Sequence, residues 1–172
     1  MNLTNKIYFS KIKPNAIIPS KRAEDAGYDL YACFEEDYIL LKPSEVKLIP
    51  TGVAWAASSE YYLQIEERSS TGKANMKKNG GVFDSGYRGD ITIELFNART
   101  ENLIISNLSE EELKAKYPEL NEPYFFFSAK KAIAQGVVHR LPMLEAEEIS
   151  YDDLLKISSQ RGADRFGSTN KK

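Results

Sequence analysis

The apolar residues of this chain mostly alternate or come in short runs, a pattern that leaves little for it to build except strands. Such runs lie at Lys6 to Phe9, Glu45 to Pro50, Val53 to Ala56, Tyr61 to Glu67, Ile91 to Phe96 and Ile133 to Val138, separated by clusters of Gly, Pro, Ser and Asn. Nothing alternates strand with a long helix, as a parallel α/β sheet would require. The expectation is therefore an all-β domain, a jelly-roll-like distorted β-barrel with short strands and frequent turns.

The 172 residues suit one domain, large enough to bury a core. A formal charge of −2 supplies no broad basic field, so nucleic acid is not an expected partner and any bound phosphate needs a local cluster of donors. The one cysteine, Cys33, and the one histidine, His139, exclude an internal disulfide and an all-Cys/His metal cage. No window approaches the roughly 18 apolar residues of a membrane span, and no leader pattern precedes the first strand. These features point to a cytoplasmic protein without a membrane partner.

One helix has clear start signals. Ser109 followed by Glu112 forms a capping box, Glu110 and Glu111 add negative charge to the first turn, and Pro118 bounds its end. It lies in a polar stretch, Ala98 to Glu122, which reads as an insertion at about 98–128: a decorating loop or a docking site for a protein partner. The expected domain spans 1–158. The segment 159–172, ending in RGADRFGSTNKK, is too polar to build a core and is either a frayed terminus or an arm that orders over a ligand.

Four segments could carry chemistry. Gly81 to Gly89 reads GVFDSGYRG, a strand, a turn and a returning strand from Asp90, which brings a carboxylate (Asp84) and a phenol (Tyr87) together. Backbone at Gly81 and Val82 could approach a ligand edge closely; the alternative is a common Asp-Ser-Gly surface turn. Arg68, Ser69 and Ser70, followed by Thr71, Gly72 and Lys73, mix cations and hydroxyls as polyphosphate binding requires, or form a polar strand-to-helix connection. The Walker spacing is absent. Asp29, flanked by apolar neighbours in Ala26 to Leu30, needs a partner or a ligand, for Asp is depleted in strands. Gln135 interrupts an apolar strand and either satisfies a backbone group or donates to phosphate.

In this order, AGYDLYA, ERSSTGK, GVFDSGYRGDI, AIAQ and RGADRFGST resemble the five motifs of the trimeric dUTP pyrophosphatases (dUTPases), across Ala26 to Thr169. The resemblance implies a β jelly-roll protomer in a homotrimer, with active sites at subunit interfaces and a C-terminal arm closing over a neighbour's site. It implies hydrolysis of dUTP to dUMP and pyrophosphate, with Mg²⁺ held chiefly by the phosphates. By the same resemblance Asp84 is the general base, Tyr87 stacks under the sugar and excludes a 2′-hydroxyl, and Gly81 and Val82 read uracil. Arg68, Ser69, Ser70 and Gln135 hold phosphates, and Asp29 meets Mg²⁺ through water. In the arm, Arg161 clamps the γ-phosphate, Phe166 stacks on the base, and Gly167, Ser168 and Thr169 wrap the terminal phosphate.

The sequence departs from the family pattern at Ser70-Thr71-Gly72 in the second motif, at Lys131-Ala132 before the fourth and at Asp164-Arg165 in the fifth, where the arm should be stiffer. The insertion is similar to those of some viral and phage members. Two alternatives follow from the same residues. Arg68-Ser69-Ser70 and Glu94 resemble parts of dCTP deaminase, alone or as a bifunctional deaminase/dUTPase, and a regulatory protein on the dUTPase fold would use the insertion as its contact surface.

Overall fold

The structure is a computed structural model and describes residues 5–159 and 162–163. Residues Met1–Pro142 form one compact unit and Met143–Lys172 a second, smaller one. Among the described residues of the first, twelve short strands make four small sheets. Strand β1 (Tyr8–Lys11) pairs with β5 (Val53–Ala56). A second sheet has the order β2 (Gly27–Tyr31), β12 (Ala132–Arg140), β6 (Tyr61–Glu66), β8 (Val82–Asp84), all antiparallel. A third runs β4 (Val46–Ile49), β9 (Ile93–Asn97), β7 (Met76–Lys78), and a fourth β3 (Tyr38–Leu41), β10 (Asn102–Ser106), β11 (Tyr124–Ser128).

The jelly-roll-like, distorted barrel expected from the apolar pattern is the architecture found, with open sheets instead of a closed ring. Its core is drawn from all of them: Leu30, Leu41, Ile49, Trp55, Leu63, Ile65, Met76, Ile93, Leu95, Leu103 and Ile105 are buried together. The alternation shows in β9, where Ile93 and Leu95 face inward and Glu94 outward.

The stretch at 98–128 contains more framework than its polarity announced. Leu103, Ile104 and Ile105 of β10 are fully buried because that strand lies between two neighbours, a position that calls for apolar residues on both faces. Its pairing with β11 is parallel, so the chain must cross over between them. The crossover carries helix α2 (Glu110–Lys116), capped by Ser109 and Glu112 as read from the sequence and anchored by the buried Leu113.

Two helices add to that one. Helix α1 (Ser69–Lys73) follows β6, and Asn75, at φ 55°, turns the chain out of it. Helix α3 (Tyr151–Lys156), capped by Ser150, lies in the Met143–Lys172 unit, and all its side chains are exposed. No helix among the described residues is long and apolar enough to cross a membrane.

A candidate nucleotide site in two parts

Strand register decides which side chains meet. Gln135 of β12 stands opposite Asp29 of β2 on one side and Glu66 of β6 on the other, two residues before Arg68. A bulge at Ala132–Ala134 shifts the β2–β12 register just before Gln135. The Ala132 carbonyl accepts from Arg68 Nη1 at 3.4 Å. Arg68 also pairs with Asp29 through Nε–Oδ1 at 2.9 Å and Nη2–Oδ2 at 3.4 Å, both side chains about one-third exposed. Gln135 Nε2 donates to the Glu67 carbonyl at 2.9 Å, so the backbone role weighed for this amide is present.

Asp29, Arg68 and Gln135 line a cleft of about 760 Å³ together with Ser69, Ser70, Ser20, Lys21, Arg22 and Asp25. Thr71, at the first departure from the family motif, is buried; it accepts from the Arg68 N–H at 3.1 Å and donates to the Arg68 carbonyl at 3.0 Å. That hydroxyl fixes the first turn of α1 and leaves Ser69 and Ser70 at the cleft wall. Gly27 lines the same cleft and is crowded by Gln135, because a β-carbon there would stand 2.9 Å from the Gln135 Cβ, which the strand holds in place. The wall at Lys21, Arg22 and Asp25 is not among the residues expected from the motifs; its only mark in the sequence is the charged run Lys21-Arg22-Ala23-Glu24-Asp25 directly before the first motif. There Arg22 Nε and Asp25 pair at 2.9 Å, and the hydrogen bond from Arg22 holds the Asp25 carboxyl below its usual range.

Asp84, Tyr87, Gly81 and Val82 line no part of this cleft. Asp84 ends β8 and stands opposite Tyr62, exposed, with no side-chain hydrogen bond to any described residue. Gly81, at φ 143°, accepts from the Ile65 N–H at 2.7 Å, and a β-carbon on it would meet Ile65 at 2.9 Å. Val82 is 63% and Tyr87 44% exposed, a large apolar and aromatic surface to leave uncovered.

The returning strand expected from Asp90 does not form a hairpin with β8. The chain continues into β9, which belongs to a different sheet, and Asp90 instead turns its carboxylate onto the Thr51 and Gly52 backbone. Gly81 to Gly89 is thus a strand followed by a crossing loop. No local signal announces this, since the anchor at Thr51 and Gly52 lies far away along the chain. Glu94 is exposed on β9, opposite Leu48, and outside the cleft. Arg161, Phe166, Gly167, Ser168 and Thr169 lie outside the described residues.

The dUTPase family model matches residues 13–109. The chain belongs to the dUTPase family. It is 32% identical over 168 residues to the deoxyuridine 5'-triphosphate nucleotidohydrolase of Helicobacter pylori strain Shi470, covering 95% of this chain and 96% of that one. With the protein of the same name from Wolinella succinogenes it shares 34% identity over 170 residues, 96% of this chain and 95% of that one. The dUTPase of Staphylococcus bacteriophage 80alpha, solved with dUpNHpp, superposes with a TM-score of 0.72 at 22% identity, covering 96% of this chain and 98% of that one. The dUTPase of phage phi11 of S. aureus, whose structure visualises a species-specific insert, gives a TM-score of 0.67 at 20% identity over 84% and 96% of the two chains. At these identities the two phage structures bear on the fold alone.

Proposed function

We propose that this dUTPase-family chain hydrolyses dUTP to dUMP and pyrophosphate at a site built between copies of itself. The observation that carries this reading is the division of the motif residues: a phosphate-suited cleft in one place, an exposed carboxylate and phenol in another. Asp84 and Gln135 sit on strands flanking β6 on opposite sides, four residues apart along it. At ordinary strand rise and spacing their backbones are about 16 Å apart. A general base must reach the attacking water by hydrogen bond, so the loop of one copy serves the cleft of another. A homotrimer supplies that pairing by symmetry.

In this scheme Arg68, Ser69, Ser70 and Gln135 hold the phosphates, with Ser69 nearest the α-phosphate, where negative charge grows. Arg68 is already oriented by Asp29. Asp84 of the neighbouring copy takes a proton from water. The water oxygen bonds to the α-phosphorus, the bond to the α–β bridging oxygen breaks, and pyrophosphate leaves with that oxygen. Tyr87 lies under the deoxyribose, and the backbone at Gly81 and Val82 reads the uracil edge. Arg161, Phe166, Gly167, Ser168 and Thr169 supply the closing arm, which excludes bulk water.

Mg²⁺ fits this donor set in one way. No group of three acidic, His or Cys side chains able to cage an ion exists among the described residues, and the one carboxylate beside Arg68, Asp29, is already charge-paired. Asp29 therefore suits a hydrated ion held chiefly by substrate phosphates, whose charge it would offset. A reducing cytoplasmic setting accords with the single buried thiol of Cys33.

Incubating the protein with Mg²⁺ and dUTP or dCTP in ¹⁸O-water, then separating products, tests the proposal. It requires dUMP and pyrophosphate, with the label in dUMP. Survival of dUTP while dCTP loses ammonia would overturn it in favour of deamination.

A further inference from the structure

The loop that carries Tyr87 and follows Asp84 has no strand partner for its returning limb, so something else must fix its shape. Arg88 Nη1 holds the tip, donating to the Ser85 carbonyl at 2.5 Å, the Tyr87 carbonyl at 2.9 Å and the Trp55 carbonyl at 3.4 Å, and the returning end is fixed at Asp90. Its Oδ1 accepts from the Thr51 N–H at 3.1 Å, the Thr51 hydroxyl at 3.1 Å and the Gly52 N–H at 2.9 Å, and Oδ2 accepts from the Gly52 N–H at 3.1 Å. The receiving turn is itself tightly built: Thr51 is buried, and Gly52 holds φ 66° with Ala16, Cys33 and Lys13 crowding the place where a β-carbon would stand. The Ile91 N–H then donates to the Val53 carbonyl at 2.8 Å. At the other end of the loop the Tyr87 hydroxyl donates to the Asp90 carbonyl at 3.3 Å, and its ring lies 5.7 Å from that of Phe83, next to Asp84.

We propose that Asp90 is a positioning residue: its carboxylate, clasped by Thr51 and Gly52, sets the loop that aims Asp84 and Tyr87 at the neighbouring copy's substrate. The carboxylate touches no substrate atom. It acts because a base presented across a subunit boundary must be held by its own chain. A charge-assisted clasp on a rigid turn is worth about twice a neutral hydrogen bond. The proposal rests on the dUTP-hydrolysing scheme above, in which Tyr87 selects deoxyribose. Loss of the clasp therefore loosens two functions together, turnover through Asp84 and sugar selection through Tyr87. The phosphate cleft, built from other segments, is left intact.

Asp90→Asn places an amide donor or a weaker acceptor against two N–H groups. Thr51→Val keeps the shape and removes the hydroxyl, which donates to Asp90 at 3.1 Å and accepts from the Val53 N–H at 3.3 Å. Steady-state turnover of dUTP and UTP by folded protein should show kcat for dUTP falling about tenfold or more in Asp90→Asn. KM should move less than kcat, and the preference for dUTP over UTP should narrow. Thr51→Val should shift both quantities the same way by less. Folded Asp90→Asn with wild-type kcat and preference overturns the proposal, and so does an equal loss on both substrates, the mark of a merely structural role. Amide exchange at residues 51–53 and 85–91 needs no substrate: faster exchange there in Asp90→Asn supports the clasp even if wild type leaves dUTP intact, and unchanged exchange refutes it.

Discussion

Gly27→Ala should damage the protein through one side chain, Gln135. The added β-carbon would stand 2.5 Å from Gln135 Oε1, 2.9 Å from its Cβ and 3.0 Å from its Cδ. The amide can swing aside, but the Gln135 Cβ cannot, because β12 is held in register with β2 and β6 on either side. Overpacking of this kind costs about 1–3 kcal/mol. Swinging the amide also breaks its 2.9 Å bond to the Glu67 carbonyl, a loss of about 0.5–1.5 kcal/mol. Against this, alanine narrows the unfolded ensemble by about 0.4–1 kcal/mol. The net destabilisation is about 0.5–4 kcal/mol, or on the order of 1 M in urea midpoint at a typical m-value. Unfolding followed by the fluorescence of Trp55, the only tryptophan and a buried one, reads it at matched protein concentration. The same variant should lose dUTP turnover, since Gln135 leaves the cleft wall. Gly86→Ala is the control: nothing lies within 4 Å of its added carbon, and its φ is not positive, so its midpoint should be unchanged or slightly raised. A Gly27→Ala protein as stable and active as wild type would refute the claimed crowding.

Further perturbations test other links. Arg68→Lys cannot keep both the Asp29 pair and the Ala132 carbonyl contact, so KM for dUTP should rise about tenfold or more in steady-state kinetics, and an unchanged KM would remove Arg68 from phosphate binding. Cys33 is 7% exposed and burial pushes its thiol pKa up; a thiol reagent should modify it only after denaturant is added, and rapid labelling of native protein would contradict the packing. Hydrogen bonds from Lys116 and then Tyr117 hold the Asp37 carboxyl below its usual range. A lowered carboxyl pKa stabilises above the unfolded value and loses that contribution as pH falls through the folded one. Wild type should therefore exceed Asp37→Asn in urea midpoint at neutral pH, with the difference shrinking as pH falls below about 3.9 and vanishing once it is below the lowered folded pKa; a constant difference would refute the linkage.

The sequence displayed most strands through apolar runs such as Ile133 to Val138 and Ile91 to Phe96, for alternation and burial leave marks in local composition. It hid β10, because Leu103 to Ile105 is a three-residue run inside polar surroundings, and what makes it a central strand is pairing with distant β3 and β11. Helix α3 carries start signals of the same kind as α2, Ser150 as cap with Asp152 and Asp153 in the first turn. The cleft was foreshadowed because each motif is contiguous. The fate of the crossing loop was not, for Asp90 is fixed by Thr51 and Gly52, almost forty positions back. Nor could the separation of Asp84 from Gln135 be read, since both strands flank β6 and only the register shows how far apart they stand.

The division of the site between copies can be measured by complementation. Asp84→Asn keeps an intact cleft, and Arg68→Ala keeps an intact loop; each alone should be inactive on dUTP. Refolded together in equal amounts, they should form mixed trimers in which a site works when its loop comes from the Arg68→Ala chain and its cleft from the Asp84→Asn chain. Random mixing in a closed ring makes that about one site in four, so roughly a quarter of wild-type turnover should return. Mixed protein that stays as inactive as either parent, although the chains are shown to have exchanged, would contradict a site shared between subunits.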